Sequence, residues 1–326
     1  MTLLSRRRLL IGAAAAAAVQ PAIAAPSAIP ADFTLRVGTY RGADATLLRG
    51  TGLDHAPYRI AFNEFSGGNL ITQAINAGAL DLGTWSEIPL VFAAAADARV
   101  RVVATLEGPT ANQAVLVPQD SRARSIADLR GRRVGYIRAT TSQYFLIRML
   151  AQHGLGLADI EAISLGYAEG LAAFHSGAID AWATYGYAIS TLEAQGSARV
   201  LQNAVGILSG NYLIGVDPDR LGDAGFRAAA SDYIDRIGRA YAILDADKPR
   251  WSKLLAPAVS VPEPIALAYL REEEQPYRVR AIRPADIASA QNVADTFIAQ
   301  GLLPKGTSVA AYFSDALLPR EPGRQG

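Results

Sequence analysis

Apolar residues recur along this chain in two rhythms, and their alternation outlines an α/β protein. Phe33-Thr34-Leu35-Arg36-Val37-Gly38 alternates apolar and polar positions and predicts a first strand that runs into Tyr40-Arg41-Gly42. Tyr58 to Phe65 alternates in the same way and ends at Ser66-Gly67-Gly68, ahead of a helix expected from Asn69 to Ala77. Pro89 opens another helix, in the first-turn position that proline tolerates. Val100 to Ala104 and Ala114 to Val117 read as further strands, and Pro118-Gln119-Asp120-Ser121 as a turn. After a short helical turn at Ser125 to Leu129, Arg132 to Ile137 restarts the alternation. A helix from Ser142 to His153 and a strand from Ala162 to Leu165 follow. Val200-Leu201 and Tyr212 to Val216 are expected strands that lead back. From Gly225 onward the pattern is mainly helical, punctuated by Pro257, Pro262, Pro264 and Pro276.

One phrase occurs twice. Asn76-Ala77-Gly78-Ala79-Leu80-Asp81-Leu82-Gly83-Thr84-Trp85 returns as His175-Ser176-Gly177-Ala178-Ile179-Asp180-Ala181-Trp182-Ala183-Thr184-Tyr185. Each copy follows an apolar run with helical spacing. Its glycine falls where a helix stops, because only glycine enters the left-handed position there without a Cβ penalty. A short apolar strand and a loop with hydroxyl and aromatic side chains come next. The repetition predicts two similar α/β lobes, and ligands of such sheets bind beyond the carboxyl ends of the strands. The expected organisation is a discontinuous first lobe, residues 33–112 and 210–318, with a second lobe, 113–209, inserted into it. The chain would cross near 108–118 and again near 201–214, which makes a natural hinge.

Composition supports this picture and narrows it. With 326 residues, half of them apolar, the chain is long enough for more than one core. Residues 1–25 stand apart as an export signal. Ser5-Arg6-Arg7-Arg8-Leu9-Leu10 is basic and resembles a twin-arginine start, Ile11 to Val19 is a short apolar run, and Ala22-Ile23-Ala24 suits cleavage near Ala24. The run is shorter than the roughly 20 residues a membrane-spanning helix needs. Its removal takes three arginines and no acid, so the net charge turns from one positive to two negative. No basic stretch remains that would suit a phosphate backbone, which argues against nucleic acid as a partner. The chain has no cysteine, which excludes disulfides, thiol catalysis and cysteine zinc sites.

Four strand-to-helix junctions carry similar chemistry: Tyr40-Arg41-Gly42, Trp85-Ser86-Glu87, Arg138-Ala139-Thr140-Thr141-Ser142 and Tyr185-Gly186-Tyr187. Each would present the free N–H groups of a helix start with hydroxyls beside them, an arrangement suited to an oxyanion. Two readings stay open for Ser86, Thr140, Thr141 and Ser142: anion donors, or ordinary helix caps. Trp85, Trp182, Tyr40, Tyr185 and Tyr187 offer aromatic walls, although Trp182 lies inside an apolar strand and is expected in the core. Glu87 reads first as a cap for the helix at Pro89, second as a partner for a donor on the ligand. His55, His153 and His175 have neither triad partners nor metal-ligand spacing, and no phosphate-binding or dinucleotide motif is present. No catalytic residue, metal or cofactor is expected.

At this level the chain resembles the periplasmic substrate-binding components of ABC importers for aliphatic sulfonates, taurine and nitrate. The likeness spans about Leu35 to Lys305. It is carried by Leu35-Arg36-Val37-Gly38, by both copies of the repeated phrase, and by Glu87-Ile88-Pro89, Val115-Leu116-Val117-Pro118 and Ser125 to Val134. Ala294-Asp295-Thr296-Phe297-Ile298-Ala299-Gln300-Gly301-Leu302-Leu303-Pro304-Lys305 completes it. The resemblance implies a type II periplasmic binding fold, two α/β lobes with a hinged cleft. It also implies recognition of a small anionic ligand without chemistry, a periplasmic location, and a monomer that docks on an inner-membrane permease. By position it places Tyr40, Ser86, Glu87, Thr140, Thr141 and Tyr185 on cleft-lining loops, with Asn112 and Asn211 near the crossings as further candidates. The sulfonate branch usually has a Trp-Asp-Pro-like stretch where this chain has Tyr185-Gly186-Tyr187, and a Gln-Lys pair near Tyr40-Arg41. Both departures fall in the cleft and leave the ligand open: besides an aliphatic sulfonate, an aromatic sulfonate or an organic anion that is not a sulfonate. Enzymes of similar architecture, aryl-sulfinate desulfinases and pyrimidine-precursor synthases, are the competing class. The desulfinase nucleophile is a cysteine, which is missing here. A binding protein serving a sensor receptor is the third possibility.

Overall fold

The computed structural model describes residues 29–318. The expected export signal and the tail beyond Leu318 lie outside the described residues. Among the described residues, eleven strands form two separate sheets. The first holds β1 (Thr34–Thr39), β2 (Arg59–Glu64), β3 (Leu82–Ser86), β4 (Arg101–Glu107), β10 (Asn211–Val216) and β11 (Arg278–Arg280), in the order β11-β4-β10-β3-β1-β2. The second holds β5 (Gln113–Pro118), β6 (Arg133–Tyr136), β7 (Glu161–Ser164), β8 (Ala181–Tyr185) and β9 (Ala198–Asn203), in the order β7-β6-β8-β5-β9. Position by position, β2-β1-β3-β10-β4 and β7-β6-β8-β5-β9 are the same design. Three strands run parallel in each. The strand that has just crossed from the other sheet, β10 or β5, enters antiparallel between its neighbours.

The repeated phrase serves the same purpose in both sheets. Gly78 and Gly177 end α2 (Gly68–Asn76) and α5 (Tyr167–His175) with φ of 71° and 70°, the left-handed conformation expected of them. Asp81 then accepts from the Arg36 backbone N–H and guanidinium at 2.6–3.0 Å, while Arg36 donates to the Gly78 carbonyl at 2.7 Å. Asp180 holds Arg133 through the same set of bonds, with the Gly177 carbonyl as the extra acceptor at 3.0 Å. A carboxylate on one strand thereby fixes the arginine of its parallel neighbour, at the strand ends opposite the cleft. Trp85, which ends the first copy, and Trp182, inside the second, are fully buried.

Two short segments connect the sheets, residues 108–112 and 204–210. They touch where the Gly108 N–H donates to the Gly210 carbonyl at 2.9 Å. Glu274 fixes the first by accepting from the Thr110 N–H, the Thr110 hydroxyl and the Ala111 N–H. The carboxyl-terminal part is built from α7 (Ala224–Ala246), α8 (Lys248–Val259), α9 (Glu263–Arg271) and α10 (Pro284–Ala299). It packs on the first sheet, and α9 also reaches α6 (Tyr187–Ala194) of the second half, where the Tyr187 and Tyr269 rings lie 4.2 Å apart.

One buried acid in this frame is sensitive to pH. Asp44 opens α1 (Asp44–Thr51), lies in the core and accepts from the Tyr233 hydroxyl of α7 at 2.9 Å. Burial pushes its carboxyl up to about 6, opposed only partly by the bonds from Tyr233 and its own backbone. A raised carboxyl means that the folded state holds the proton more tightly than the unfolded chain. The folded state therefore gains stability as pH falls from about 6 toward 4, by about 2–3 kcal/mol over the interval. Asp44→Asn retains an acceptor for Tyr233 and removes the charge. Urea unfolding is expected to show the variant more stable than the parent at about pH 8, with the difference closing near pH 4; a constant offset would refute the assignment.

Candidate binding site

The carboxyl ends of β1, β3, β6 and β8 face one another across a cleft of about 770 Å³. This volume is in the range of small-molecule sites. Three helices point their amino termini into it after strand or loop residues that also line it: α3 (Glu87–Ala95) behind Ser86, α4 (Thr141–Gln152) behind Thr140, and α6 behind Gly186. α2, behind Gly67, is a fourth. The first N–H groups of a helix have no partner within it, so these ends attract anions.

Their hydroxyls divide into two groups. The Thr140 hydroxyl caps α4, accepting from the Ser142 N–H at 3.3 Å and donating to the Ile137 carbonyl at 2.7 Å. The Ser142 hydroxyl likewise binds Ile137, accepting from the Ile137 N–H and donating to the Ile137 carbonyl. By contrast, Ser86 and Thr141 make no side-chain hydrogen bond among the described residues, nor do Tyr40 and Tyr185, and all four line the cleft. Ser86 stands at an N-cap position without capping, so its hydroxyl remains available. Burial pushes the Tyr185 hydroxyl up to about 12 and raises Tyr40 and Tyr187 further, so these phenols are protonated donors at neutral pH. The one arginine at the cleft, Arg41, donates to the Ala258 carbonyl and the Ser260 hydroxyl. The anion end is thus made of neutral donors and helix termini.

The structure places the other expected residues differently. Asn112 lines the cleft, where its amide donates to the Tyr269 hydroxyl at 2.7 Å. Its backbone carbonyl accepts from the Gly186 N–H, tying the first crossing to the start of α6. Glu87 and Asn211 lie outside the main cleft, in a small crevice at the second crossing. Glu87 caps no helix. It accepts from Ser209 at 2.6 Å and from the Asn211 amide at 3.2 Å, and Asn211 in turn accepts from Arg280. Burial raises the Glu87 carboxyl, against the pull of its hydrogen bonds to Ser209, Ser289 and Asn211. The expectation that Trp85 walls the pocket needs correction. Its side chain points into the core and lies across Gly215 of the neighbouring strand, where a Cβ would collide with the indole. Trp182 is in the core, as expected.

Two parts of the site were not foreseen. Gly67 and Gly68 bring the α2 terminus into the cleft, and a Cβ on Gly68 would stand 2.7 Å from the Trp85 Cβ and 2.8 Å from the Tyr40 hydroxyl. The strand-end motif Ser66-Gly67-Gly68 was a usable signal for it. The carboxyl-terminal helices supply the rest of the wall, including Tyr241, Trp251 and Tyr269, for which the sequence held no distinguishing signal. Gly186 has φ 75° and ψ −154°, a region essentially restricted to glycine.

Two α/β halves joined by paired crossings, with an anion-attracting cleft between them, define a solute-binding protein of the type II periplasmic binding fold. Comparisons with known proteins agree. Residues 58–209 match the family described as NMT1/THI5 like. The alkanesulfonate-binding protein SsuA from Xanthomonas axonopodis pv. citri, solved bound to MOPS, is 32% identical, with a TM-score of 0.79 over 88% of this chain and 99% of that one. The periplasmic aliphatic sulphonate binding protein SsuA from Escherichia coli is 27% identical, with a TM-score of 0.78 over 86% and 96%. The chain belongs to the family of these proteins, the substrate-binding components of ABC importers. The desulfurization enzyme DSZB shares the fold at 16% identity and a TM-score of 0.63. That likeness is one of fold alone, and this protein is a binding protein rather than an enzyme. Among the described residues no helix is long and apolar enough to cross a membrane, and no cluster of three or more His, Cys, Asp or Glu could hold a metal.

Proposed function

We propose that this protein captures a sulfonate, aliphatic or aromatic, in the periplasm and delivers it as a monomer to an inner-membrane ABC permease, after export through its twin-arginine-like signal. The observation that carries the ligand class is the cleft end itself. Helix termini and unpaired hydroxyls of Ser86 and Thr141 converge there with no cation among them. A sulfonate is ionised at any physiological pH and offers three acceptor oxygens, so it uses such donors without needing a proton or a counter-charge. Kinship with two sulfonate-binding proteins supports the same class. Residues 33–112 with 210–318, and 113–209, would then move as two lobes about the crossings and close over the ligand.

Calorimetry with ethanesulfonate, MOPS and an arenesulfonate tests the proposal. Saturable binding of at least one is expected, and absence of heat with all three would refute the ligand class. Ser86→Ala and Thr141→Val each remove one donor to an anion, worth about 1.5–3 kcal/mol, so each is expected to weaken binding about tenfold or more. Thr140→Val acts on the α4 cap instead and is expected to lower stability by about 1 kcal/mol.

A further inference from the structure

The cleft is far larger than a sulfonate head needs. At about 30 Å³ per water, its volume of about 770 Å³ holds some 25 waters, whereas a head group with two carbons fills only a fraction. On its carboxyl-terminal side the wall is an aromatic chamber formed by Tyr241, Trp251, Leu255, Val259, Tyr269 and Tyr277. Tyr241 and Tyr277 stack at 4.5 Å with planes 26° apart. These walls offer flat apolar faces suited to a ring, and aromatic pairs favour offset stacking at such distances.

One buried charged side chain faces this chamber; Arg41, which is exposed, meets the same wall through Ala258 and Ser260. The buried one is Glu273, with a side chain only 3% exposed. One carboxylate oxygen accepts from Lys248 at 2.8 Å, and the other bonds no protein group among the described residues. Lys248 itself does not line the cleft; it also donates to the Leu270 carbonyl at 2.7 Å and pairs with Asp245 at 3.7 Å. An uncompensated acceptor in an apolar chamber is costly unless a donor meets it. A second anion placed there would meet the Glu273 carboxylate, while Lys248 is held by that carboxylate and Arg41 is turned to Ala258 and Ser260.

We infer that the site is built for an aryl monosulfonate that carries a hydrogen-bond donor far from its sulfonate, with the ring in the aromatic chamber and Glu273 accepting from the donor. Glu273 is then a specificity residue that favours hydroxyl- or amino-bearing rings and rejects disulfonates. This rests on the sulfonate reading above, which places the head group at the helix termini.

The test is calorimetry on the purified full chain with ethanesulfonate, naphthalene-2-sulfonate, 6-hydroxynaphthalene-2-sulfonate and naphthalene-2,6-disulfonate. The hydroxylated ligand is expected to bind tightest, about tenfold above the unsubstituted ring, and the disulfonate at least about tenfold below it. Glu273→Gln is expected to shrink the hydroxyl preference and to relax rejection of the disulfonate. Trp251→Ala is expected to narrow the advantage of both monosulfonate rings over ethanesulfonate. The parent ligand series decides the matter even if a variant does not fold. Binding of ethanesulfonate as tight as that of the rings, or of disulfonate as tight as monosulfonate, overturns the inference and leaves the sulfonate reading standing. No binding by any of the four overturns both.

Discussion

Asp81→Ala is expected to cost the protein about 2–3 kcal/mol of stability, and the matching change in the second copy of the repeat, Asp180→Ala, only about 1 kcal/mol. The two carboxylates hold their arginines in the same way but in different surroundings. Asp81 is fully buried and takes a second cation, Arg220, at 2.8 Å. Arg220 lies 5.1 Å over the Phe226 ring, so Asp81 also anchors the start of α7 to the first sheet. Its loss leaves the Arg36 N–H unpaired and removes the shared partner of two guanidiniums whose side chains are 38% and 29% exposed. Asp180 is 34% exposed, its Arg133 is 40% exposed, and no second arginine joins them. Water therefore replaces most of what that carboxylate supplied. Equilibrium urea unfolding of both variants, with m-values compared to confirm a common unfolded state, measures the difference. Equal costs would show that the bond pattern rather than its burial sets the energy.

The repeat was legible because its glycine and aspartate have fixed backbone tasks that no other residue performs as well. The strands beside it were also legible. Phe33 to Gly38 was expected and Thr34–Thr39 is found, and the helix expected from Ser142 to His153 is Thr141–Gln152. β11 left no trace, and α1 was expected only as a helix start after Tyr40-Arg41-Gly42, without an extent. The eight residues of α1 follow directly on a strand and a polar turn, and β11, three residues long, shows no period at all. The anion end could be read from hydroxyls at strand ends, but which hydroxyls remain free could not. Thr140 and Thr141 are adjacent in sequence, and only the helix start decides that one caps and the other faces the cleft. The aromatic chamber was hidden for a different reason. Tyr241, Trp251 and Tyr269 occupy the apolar faces of helices, and such a pattern is the same whether the face meets a core or a cavity. Glu87 misled because an acid just ahead of a helix usually serves that helix, whereas here it reaches across to the second crossing.

Gly68→Ala is expected to abolish or severely weaken ligand binding while the protein stays folded. A Cβ at this position would lie 2.7 Å from the Trp85 Cβ, 2.8 Å from the Tyr40 hydroxyl and 3.0 Å from Pro89. The Tyr40 hydroxyl can swing aside, but the Trp85 Cβ sits at the base of a buried indole and cannot. The amino terminus of α2 must therefore retreat, taking its free N–H groups away from the anion end and displacing Tyr40. Losing one or two such donors to an ionised ligand costs about 1.5–3 kcal/mol each, so affinity should fall about tenfold to several hundredfold. Gly78→Ala provides the contrast. Nothing lies within 4 Å of its added Cβ, but its φ of 71° penalises any side chain. That change should lower stability by about 1 kcal/mol and leave affinity as it was, because the strain falls at the end of α2 remote from the cleft. Calorimetry and unfolding measured side by side separate the two glycines. If Gly68→Ala binds as the parent does, the α2 terminus has no part in holding the ligand, and the anion end is reduced to α3, α4 and α6.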